Sequence, residues 1–233
     1  MDIQIIRSGE RGRTRLAWLD SRHSFSFGHY YDPKRMGHGA LRVINEDVVA
    51  PAKGFSTHPH ANMEIVSIVL SGALAHRDSM GNVQTIRAGE VQRMSAGTGI
   101  EHSEFNPSDE VPVHFLQVWL HPLHRDQSPS YQQRDFSSHD QEQGWLPVVT
   151  GSAQGLSLAI DQDAGIYLSR LPAGTMRRQQ LETGRRGYLQ ITGGCVLLGE
   201  NELNAGDGVA FTGRADFALQ AITDAAAVWF DLA

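Results

Sequence analysis

Short runs of alternating apolar and polar residues, separated by turn-forming residues, dominate the chain from Ala40 onward. Such alternation is typical of half-buried β-strands, and strands at this spacing indicate an antiparallel barrel or jelly roll. The pattern therefore predicts an all-β protein. In the first half it predicts strands at 41–44, 48–50, 55–60, 65–70, 74–78, 83–87, 91–94 and 113–120, with a turn at 45–47.

A weak internal repeat suggests that the chain holds two similar barrels in tandem. The segments 65–72 and 188–194 both alternate and end in glycine, and Ala-Gly-Glu at 88–90 is echoed by Ala-Gly-Asp at 205–207. Between the repeats lies a polar stretch rich in Gln, Ser, Asp and His. We therefore predict an N-terminal barrel over 1–125, a polar connection over 126–145 and a C-terminal barrel over 146–233.

Composition and charge narrow the classes of function. Hydrophobic residues make up 40% of the chain, which is typical of a folded protein. The net charge is -6, and residues 1–139 carry 14 basic against 15 acidic residues, so direct binding of nucleic acid is not expected. The sequence contains no apolar run of membrane length, and we expect neither a membrane span nor secretion. Cys195 is the single cysteine, which excludes an internal disulfide, and we expect a cytoplasmic location.

Two pairs of polar residues show the spacing of metal ligands. His58 and His60 lie two residues apart in a predicted strand, so both side chains point to the same face, with Cα atoms about 6.5 to 7 Å apart. His102 and Glu104 repeat this spacing. If their strands face each other in a barrel, three imidazoles and a carboxylate converge on one divalent metal ion.

Histidine usage places this candidate metal site in the first barrel. All 11 histidines lie at or before His139. The repeats can be superposed at Gly72 and Gly193. The positions equivalent to His58, His60 and Glu64 are then occupied by Gln179, Leu181 and Arg185. A histidine-based metal site in the C-terminal barrel is therefore excluded.

The order of these residues resembles a known family. Gly54, His58, His60 and Glu64, followed by Gly72, Gly89, Gly97, His102 and Asn106, match much of the two-part signature of the cupin superfamily. The segments 24–33, 41–47 and 95–104 are similar to the pirin family of bicupins. The resemblance implies two cupin barrels, with a metal held in the first by His58, His60, His102 and Glu104. Ordinary cupins take their carboxylate from the position of Glu64, which we keep as an alternative ligand.

The resemblance also implies an activity. Bacterial pirin-like proteins of this kind resemble quercetin 2,3-dioxygenases, which open the central ring of a flavonol with O2 and release carbon monoxide. Glu104 would then be the catalytic base, and Phe55, Phe105 and Phe115 are candidate aromatic walls. The expected substrates are a small flavonol-like aromatic molecule and O2. The expected cofactor is one divalent transition metal, iron first, with copper, manganese, cobalt, nickel or zinc as alternatives.

Two other functions fit the same residues. Other pirins act as regulators that bind a protein partner, with the oxidation state of the metal altering a surface. The same ligands could also support isomerase or hydrolase chemistry, which needs no O2 and no redox-active metal. Oxygen uptake with a flavonol separates the dioxygenase from both.

Overall fold

The computed structural model describes residues 2–139, 141–153 and 155–233. These residues form β-strands joined by turns, with a 3-10 turn at Ser8–Glu10, so the all-β prediction is confirmed. Within them, no helix has the length and hydropathy needed to span a lipid bilayer. The strands are β1 (Asp2–Ile6), β2 (Gly12–Arg15), β3 (Leu19–His23), β4 (Leu41–Val49), β5 (Gly54–His60), β6 (Glu64–Ser71), β7 (Ala73–Asp78), β8 (Val83–Arg87), β9 (Glu90–Ser95), β10 (Ile100–Phe105), β11 (Val113–Leu120), β12 (Ser130–Asp135), β13 (Leu146–Thr150), β14 (Leu158–Ala159), β15 (Ala164–Leu171), β16 (Met176–Leu181), β17 (Arg186–Gly193), β18 (Cys195–Leu198), β19 (Asn201–Asn204), β20 (Gly208–Thr212), β21 (Ala215–Ala221) and β22 (Ala225–Leu232).

The N-terminal unit consists of residues 12–138 and 158–162. Its larger sheet has the strand order β12-β9-β6-β11-β4-β3-β2, and its smaller sheet has the order β5-β10-β7-β8. Apolar side chains from both sheets meet in one core, because alternation turns one face of each strand inward. Buried members of this core include Val49, Val69, Leu74, Ile86 and Phe115.

The C-terminal unit repeats this arrangement. Its larger sheet contains the order β1-β20-β17-β22-β15-β13, and its smaller sheet is β16-β21-β18-β19. The interior is filled by apolar residues from both sheets, among them Leu181, Phe211, Phe217 and Trp229. Two similar β-barrels are therefore present, as the internal repeat predicted.

The boundaries of the two units differ from the expected ones. Strand β1 was assigned to the N-terminal barrel, but it pairs with β20 of the C-terminal unit, with Asp2 opposite Thr212. Strand β12 lies inside the expected connection 126–145, yet it pairs with β9 of the N-terminal unit. Its sequence, Ser-Tyr-Gln-Gln-Arg-Asp, is polar because it forms the edge of the sheet, and polar edge strands resemble linkers in sequence.

Strand β4 is longer than the sequence predicted. A turn was predicted at 45–47, but β4 continues from Leu41 through Val49. Asn45 and Asp47 are buried and point to the inside of the N-terminal barrel. Polar residues in the middle of a strand were misread as a turn because they face a cavity instead of the apolar core.

Gly54 sets the close approach of β5 to β10. It pairs with Phe105, and a methyl group at Gly54 would collide with the carbonyl oxygen of Glu104 and the Cα of Phe105. We expect Gly54→Ala to push the two strands apart and lower the free energy of unfolding by about 1–3 kcal/mol. Urea unfolding followed by circular dichroism measures this. Gly9→Ala, where a methyl group meets no neighbouring atom, is the control, and equal effects of the two substitutions would contradict the prediction.

Candidate metal centre

Three imidazoles meet at one point of the N-terminal barrel. Strands β5 and β10 are antiparallel neighbours, with His58 opposite His102 and His60 opposite Ile100. The ring centroids of His58 and His102 are 4.5 Å apart, and those of His60 and His102 are 4.9 Å apart. One ligand nitrogen from each ring lies within 4.8 Å of the others. The three imidazoles converge, and the two strands that carry them lie side by side in one sheet.

The ionisation of these imidazoles suits metal binding. Burial is the main cause that lowers the pKa of His60 to about 4, and the neighbouring rings of His102 and His58 add to it. Burial likewise lowers the pKa of His102 to about 3, with contributions from His58 and His76. Neutral imidazoles offer a lone pair to a cation, so these rings are available as ligands at neutral pH.

Hydrogen bonds around the imidazoles also suit a cation. The Nδ1 atom of His58 lies 2.8 Å from the carbonyl oxygen of Ser56, which can only accept. Nδ1 therefore carries the hydrogen and Nε2 keeps its lone pair, which is the usual state of a metal-binding histidine. Both ring nitrogens of His102 are buried and have no hydrogen-bond partner among the described residues. Buried polar atoms of this kind are costly unless a ligand satisfies them, so the site fits a divalent transition metal.

Glu104 lies on the same face of β10 as His102, and it is held in place by other side chains. It is buried, and Gln117 Nε2 donates a hydrogen bond of 2.7 Å to its Oε2. The Ser67 hydroxyl lies 2.9 Å from Gln117 Oε1 and 3.4 Å from Glu104 Oε1. A carboxylate oxygen of Glu104 lies within 4.8 Å of ring nitrogens of His102 and His76. Glu104 is thus next to the three imidazoles through His102.

Glu64, the alternative carboxylate, has a different environment. It lies opposite Ser95 in the pairing of β6 with β9, and its Oε2 accepts a hydrogen bond of 2.8 Å from the Ser95 hydroxyl. Burial raises the pKa of Glu64, while the Ser95 hydrogen bond and the charge of Arg93 oppose that rise. Among the described residues, Glu64 is in neither group of side chains whose ligand atoms converge.

A cavity of about 200 Å³ opens beside the imidazoles. Phe27, Phe55 and Trp119 supply its aromatic surface, and the Trp119 ring lies 4.8 Å from that of His60. Of the aromatic walls expected from sequence, Phe55 lines the cavity, Phe115 is buried in the core and Phe105 is 41% exposed. Phe27 and Trp119 were missed, because an aromatic residue in a loop or strand gives no sequence signal for the cavity that it faces.

Polar residues form another part of the cavity wall. His23 Nδ1 lies 2.8 Å from Asn45 Oδ1, and His23 Nε2 lies 2.9 Å from Thr14 Oγ1. His23 is therefore hydrogen-bonded to neighbouring side chains. His29 and Asp47 also line the cavity. The wall can hydrogen-bond a ligand that carries hydroxyl groups in addition to an aromatic ring.

The structure adds His76 to the residues found from sequence. It lies on β7 opposite Glu104, and Asp78 lies opposite His102. His76 Nε2 is 3.0 Å from Asp78 Oδ2, and both side chains are fully buried. Burial opposes ionisation of Asp78, but hydrogen bonds from His76 and Asn82 outweigh it and lower the pKa of the carboxyl. The signal was present in the sequence, because His76 and Asp78 have the same two-residue spacing as His58 and His60.

The C-terminal barrel has apolar side chains at several of the corresponding positions. In its smaller sheet, β16 and β21 correspond to β5 and β10, with Gln179 opposite Phe217 and Leu181 opposite Ala215. Gln179 and Leu181, which superposition of the repeats places at His58 and His60, thus lie on β16. Phe217, opposite Gln179, packs against Phe211 and Trp229.

Comparison with known proteins identifies the family of the chain. The family model described as pirin matches residues 6–120, and the model described as quercetinase C-terminal cupin domain matches residues 148–232. A quercetin 2,3-dioxygenase of Escherichia coli (strain K12) is 41% identical over 99% of this chain and 98% of its own length. The chain belongs to the pirin family. A putative quercetin 2,3-dioxygenase of Pasteurella multocida is 38% identical over 99% of both chains.

Solved structures of pirins have the same fold. The crystal structure of YhhW from Escherichia coli has a TM-score of 0.95 and 41% sequence identity, and the match covers 100% of this chain and 98% of YhhW. A second structure of bacterial pirin YhhW, in complex with nickel(II), has a TM-score of 0.94 and 40% identity, with 99% of each chain covered. The fold is therefore that of two cupin barrels, and the site of this pirin suits a divalent transition metal.

Proposed function

We propose that this pirin is a metal-dependent dioxygenase that opens the central ring of flavonols such as quercetin with O2 and releases carbon monoxide. The observation that carries the proposal is the convergence of His58, His60 and His102 beside a cavity with aromatic and polar walls. The relatives named quercetin 2,3-dioxygenase support it, because they match over almost the full length of the chain.

We assign metal binding to His58, His60, His102 and Glu104. The three imidazoles supply neutral nitrogen ligands, and Glu104 supplies a negative charge that offsets part of the charge of a divalent cation. Imidazole and carboxylate together suit iron, which is our first expectation, and they also suit copper, manganese, cobalt, nickel and zinc. Elemental analysis of the purified protein identifies the resident ion.

When bound, the metal supplies open coordination positions and Lewis acidity next to the cavity. The residues of the chain then position the substrate and move one proton. Glu104 accepts the proton of the flavonol 3-hydroxyl, because a buried carboxylate near a metal is a suitable general base.

The cavity walls hold the flavonol in the reactive orientation. Phe27, Phe55 and Trp119 contact the flat rings, and His23 and Asn45 lie among the residues that can hydrogen-bond ring hydroxyls. Contact with aromatic side chains also excludes water from the reacting carbon atoms. The two atoms of O2 enter the ring-opened product, and one ring carbon leaves as carbon monoxide.

Oxygen uptake by metal-loaded protein tests the proposal. Quercetin should be consumed together with O2 and carbon monoxide should be released, whereas protein stripped by a chelator should be inactive. A fully loaded protein that consumes no O2 with a panel of flavonols and catechols would contradict the proposal. That result would favour the regulatory role of other pirins, and turnover with zinc but without O2 would indicate hydrolase or isomerase chemistry.

Gln117→Leu tests the role assigned to Glu104. The variant removes the hydrogen bond that orients the carboxylate but leaves the three imidazoles in place, so kcat should fall about 10- to 100-fold with the metal content unchanged. Steady-state kinetics and elemental analysis measure the two quantities. Gln133→Leu is the matched control, because Gln133 Nε2 donates a 3.1 Å hydrogen bond to Glu90. An unchanged kcat in Gln117→Leu would contradict the assignment.

A further inference from the structure

The pairing of β7 with β10 places a further histidine, His76, next to the proposed metal ligands His102 and Glu104. His76 lies opposite Glu104 and Asp78 lies opposite His102, so both pairs point into the barrel. All four residues are buried, with relative exposures of 1% for His76 and 1% for His102. The ring centroids of His76 and His102 are 5.3 Å apart. Asp78, His76 and His102 therefore form a row of neighbouring buried polar side chains.

The proton on His76 is fixed by Asp78. Asp78 Oδ1 accepts hydrogen bonds of 3.0 Å from the backbone amides of Met80 and Asn82, and the Asn82 side chain lies 2.8 Å from Oδ2. A carboxylate that accepts this many hydrogen bonds is ionised and cannot donate. The hydrogen between Asp78 Oδ2 and His76 Nε2 therefore belongs to His76. His76 Nδ1 is then left with a lone pair, and within the described part of the chain this buried atom has no hydrogen-bond partner.

His102 has the complementary requirement. Neither of its buried nitrogens has a partner in residues 2–139, 141–153 and 155–233, and a metal would satisfy one of them. The other nitrogen then carries a hydrogen that needs an acceptor. One ring nitrogen of His76 lies within 4.8 Å of a ring nitrogen of His102. The lone pair of His76 Nδ1 is an acceptor of the kind that this hydrogen needs.

We propose that His76 and Asp78 position His102 as a metal ligand, through a hydrogen bond from the second ring nitrogen of His102 to His76 Nδ1. The inference rests on the proposed function only in taking His102 as a ligand. In this proposal His76 and Asp78 are positioning residues, because they act on the metal through His102. Tyr131 helps to fix the plane of the His76 ring, because the two rings lie 5.0 Å apart with an angle of 33° between them.

Two variants and one control test the proposal by metal affinity. His76→Phe removes the acceptor and keeps a ring of similar size, and Asp78→Asn removes the charge that fixes the proton on His76. Each should weaken zinc binding on the order of 10- to 100-fold in a competition titration with a chelator. His114→Gln is the matched control, because His114 Nε2 lies 3.0 Å from Glu46 Oε1 on β4. It should leave zinc affinity unchanged.

Nuclear magnetic resonance of the unmodified protein gives a second test, which does not depend on whether a variant folds. In zinc-loaded protein labelled with ¹⁵N, long-range ¹H–¹⁵N correlations should show His76 protonated at Nε2 alone and His102 protonated at its nitrogen that does not bind zinc. A hydrogen on His76 Nδ1 would overturn the proposal. Unchanged zinc affinity in both folded variants would also overturn it.

Two further outcomes separate this inference from the proposed function. Binding of two zinc ions per chain, with the second lost in His76→Phe, would overturn it by making His76 a ligand with His102 and Glu104. A protein that binds zinc as described, but whose iron-loaded form consumes no flavonol, would contradict the dioxygenase and leave the positioning role supported. A chain that binds no zinc at all would overturn both.

Discussion

His102→Ala is expected to abolish metal binding and turnover. Among the residues that the structure describes, His102 is the only one that belongs to both groups of converging ligand atoms, so its loss removes one ligand and also the link to Glu104. Replacing a residue that merely supports a ligand costs about 10- to 100-fold in metal affinity, and removal of the ligand itself should cost at least 100-fold. A competition titration with a chelator and an oxygen-uptake assay measure the two losses.

The stability of His102→Ala should differ from that of the wild-type protein mainly when metal is present. In metal-free protein the substitution removes two buried nitrogens without partners, a gain that offsets much of the cost of the cavity it leaves. Metal at 100 times its Kd should stabilise the wild-type protein by about 2.7 kcal/mol, and this increment should vanish in the variant. His124→Ala, on a side chain that is 70% exposed, is the control. Wild-type affinity in His102→Ala would contradict the assignment of His102 as a ligand.

Trp229→Ala is expected to have the largest effect on stability. Trp229 is fully buried in the C-terminal barrel, and its ring lies 5.5 Å from those of both Phe211 and Phe217. Removal of a buried Trp side chain leaves a large cavity, so the free energy of unfolding should fall by about 3–5 kcal/mol. Urea unfolding followed by circular dichroism measures this without relying on tryptophan fluorescence.

A conservative replacement and a surface replacement are the controls for Trp229→Ala. Trp229→Phe keeps most of the aromatic packing and should cost less than half as much as Trp229→Ala. Ile222→Ala removes an apolar side chain that is 46% exposed and should change stability by less than about 0.5 kcal/mol. A loss in Trp229→Ala no larger than that in Ile222→Ala would show that this core does not stabilise the barrel.

The part of the site that sequence predicted depends on local geometry. His58 and His60, like His102 and Glu104, are two residues apart, and a strand puts such residues on one face whatever the rest of the fold does. The strand pairing that brings His102 beside His58 was not visible in the sequence. Convergence was expected on the condition that the two strands face each other, but the strands pair side by side in one sheet and the three imidazoles converge there.

The features that the sequence did not predict involve polar residues within β-strands. Asn45 and Asp47 look like turn residues but line a cavity in the middle of β4. Strand β12 looks like a linker because it is a polar edge strand. Strand alternation favoured Glu104 over Glu64, but only the pairing of β6 with β9 reveals that Glu64 is hydrogen-bonded to Ser95. In each case the deciding neighbour is distant in sequence.

The position of β1 has a consequence for how the chain folds during synthesis. Strand β1 leaves the ribosome before every other strand described, yet its partner is β20, and the backbone amide of Ser8 bonds to Asp207, 199 positions away. Its edge therefore stays unpaired while most of the polypeptide is being translated. Closure of the C-terminal barrel is a late event with a high loop-closure entropy, and a ribosome stalled before β20 would display an open strand.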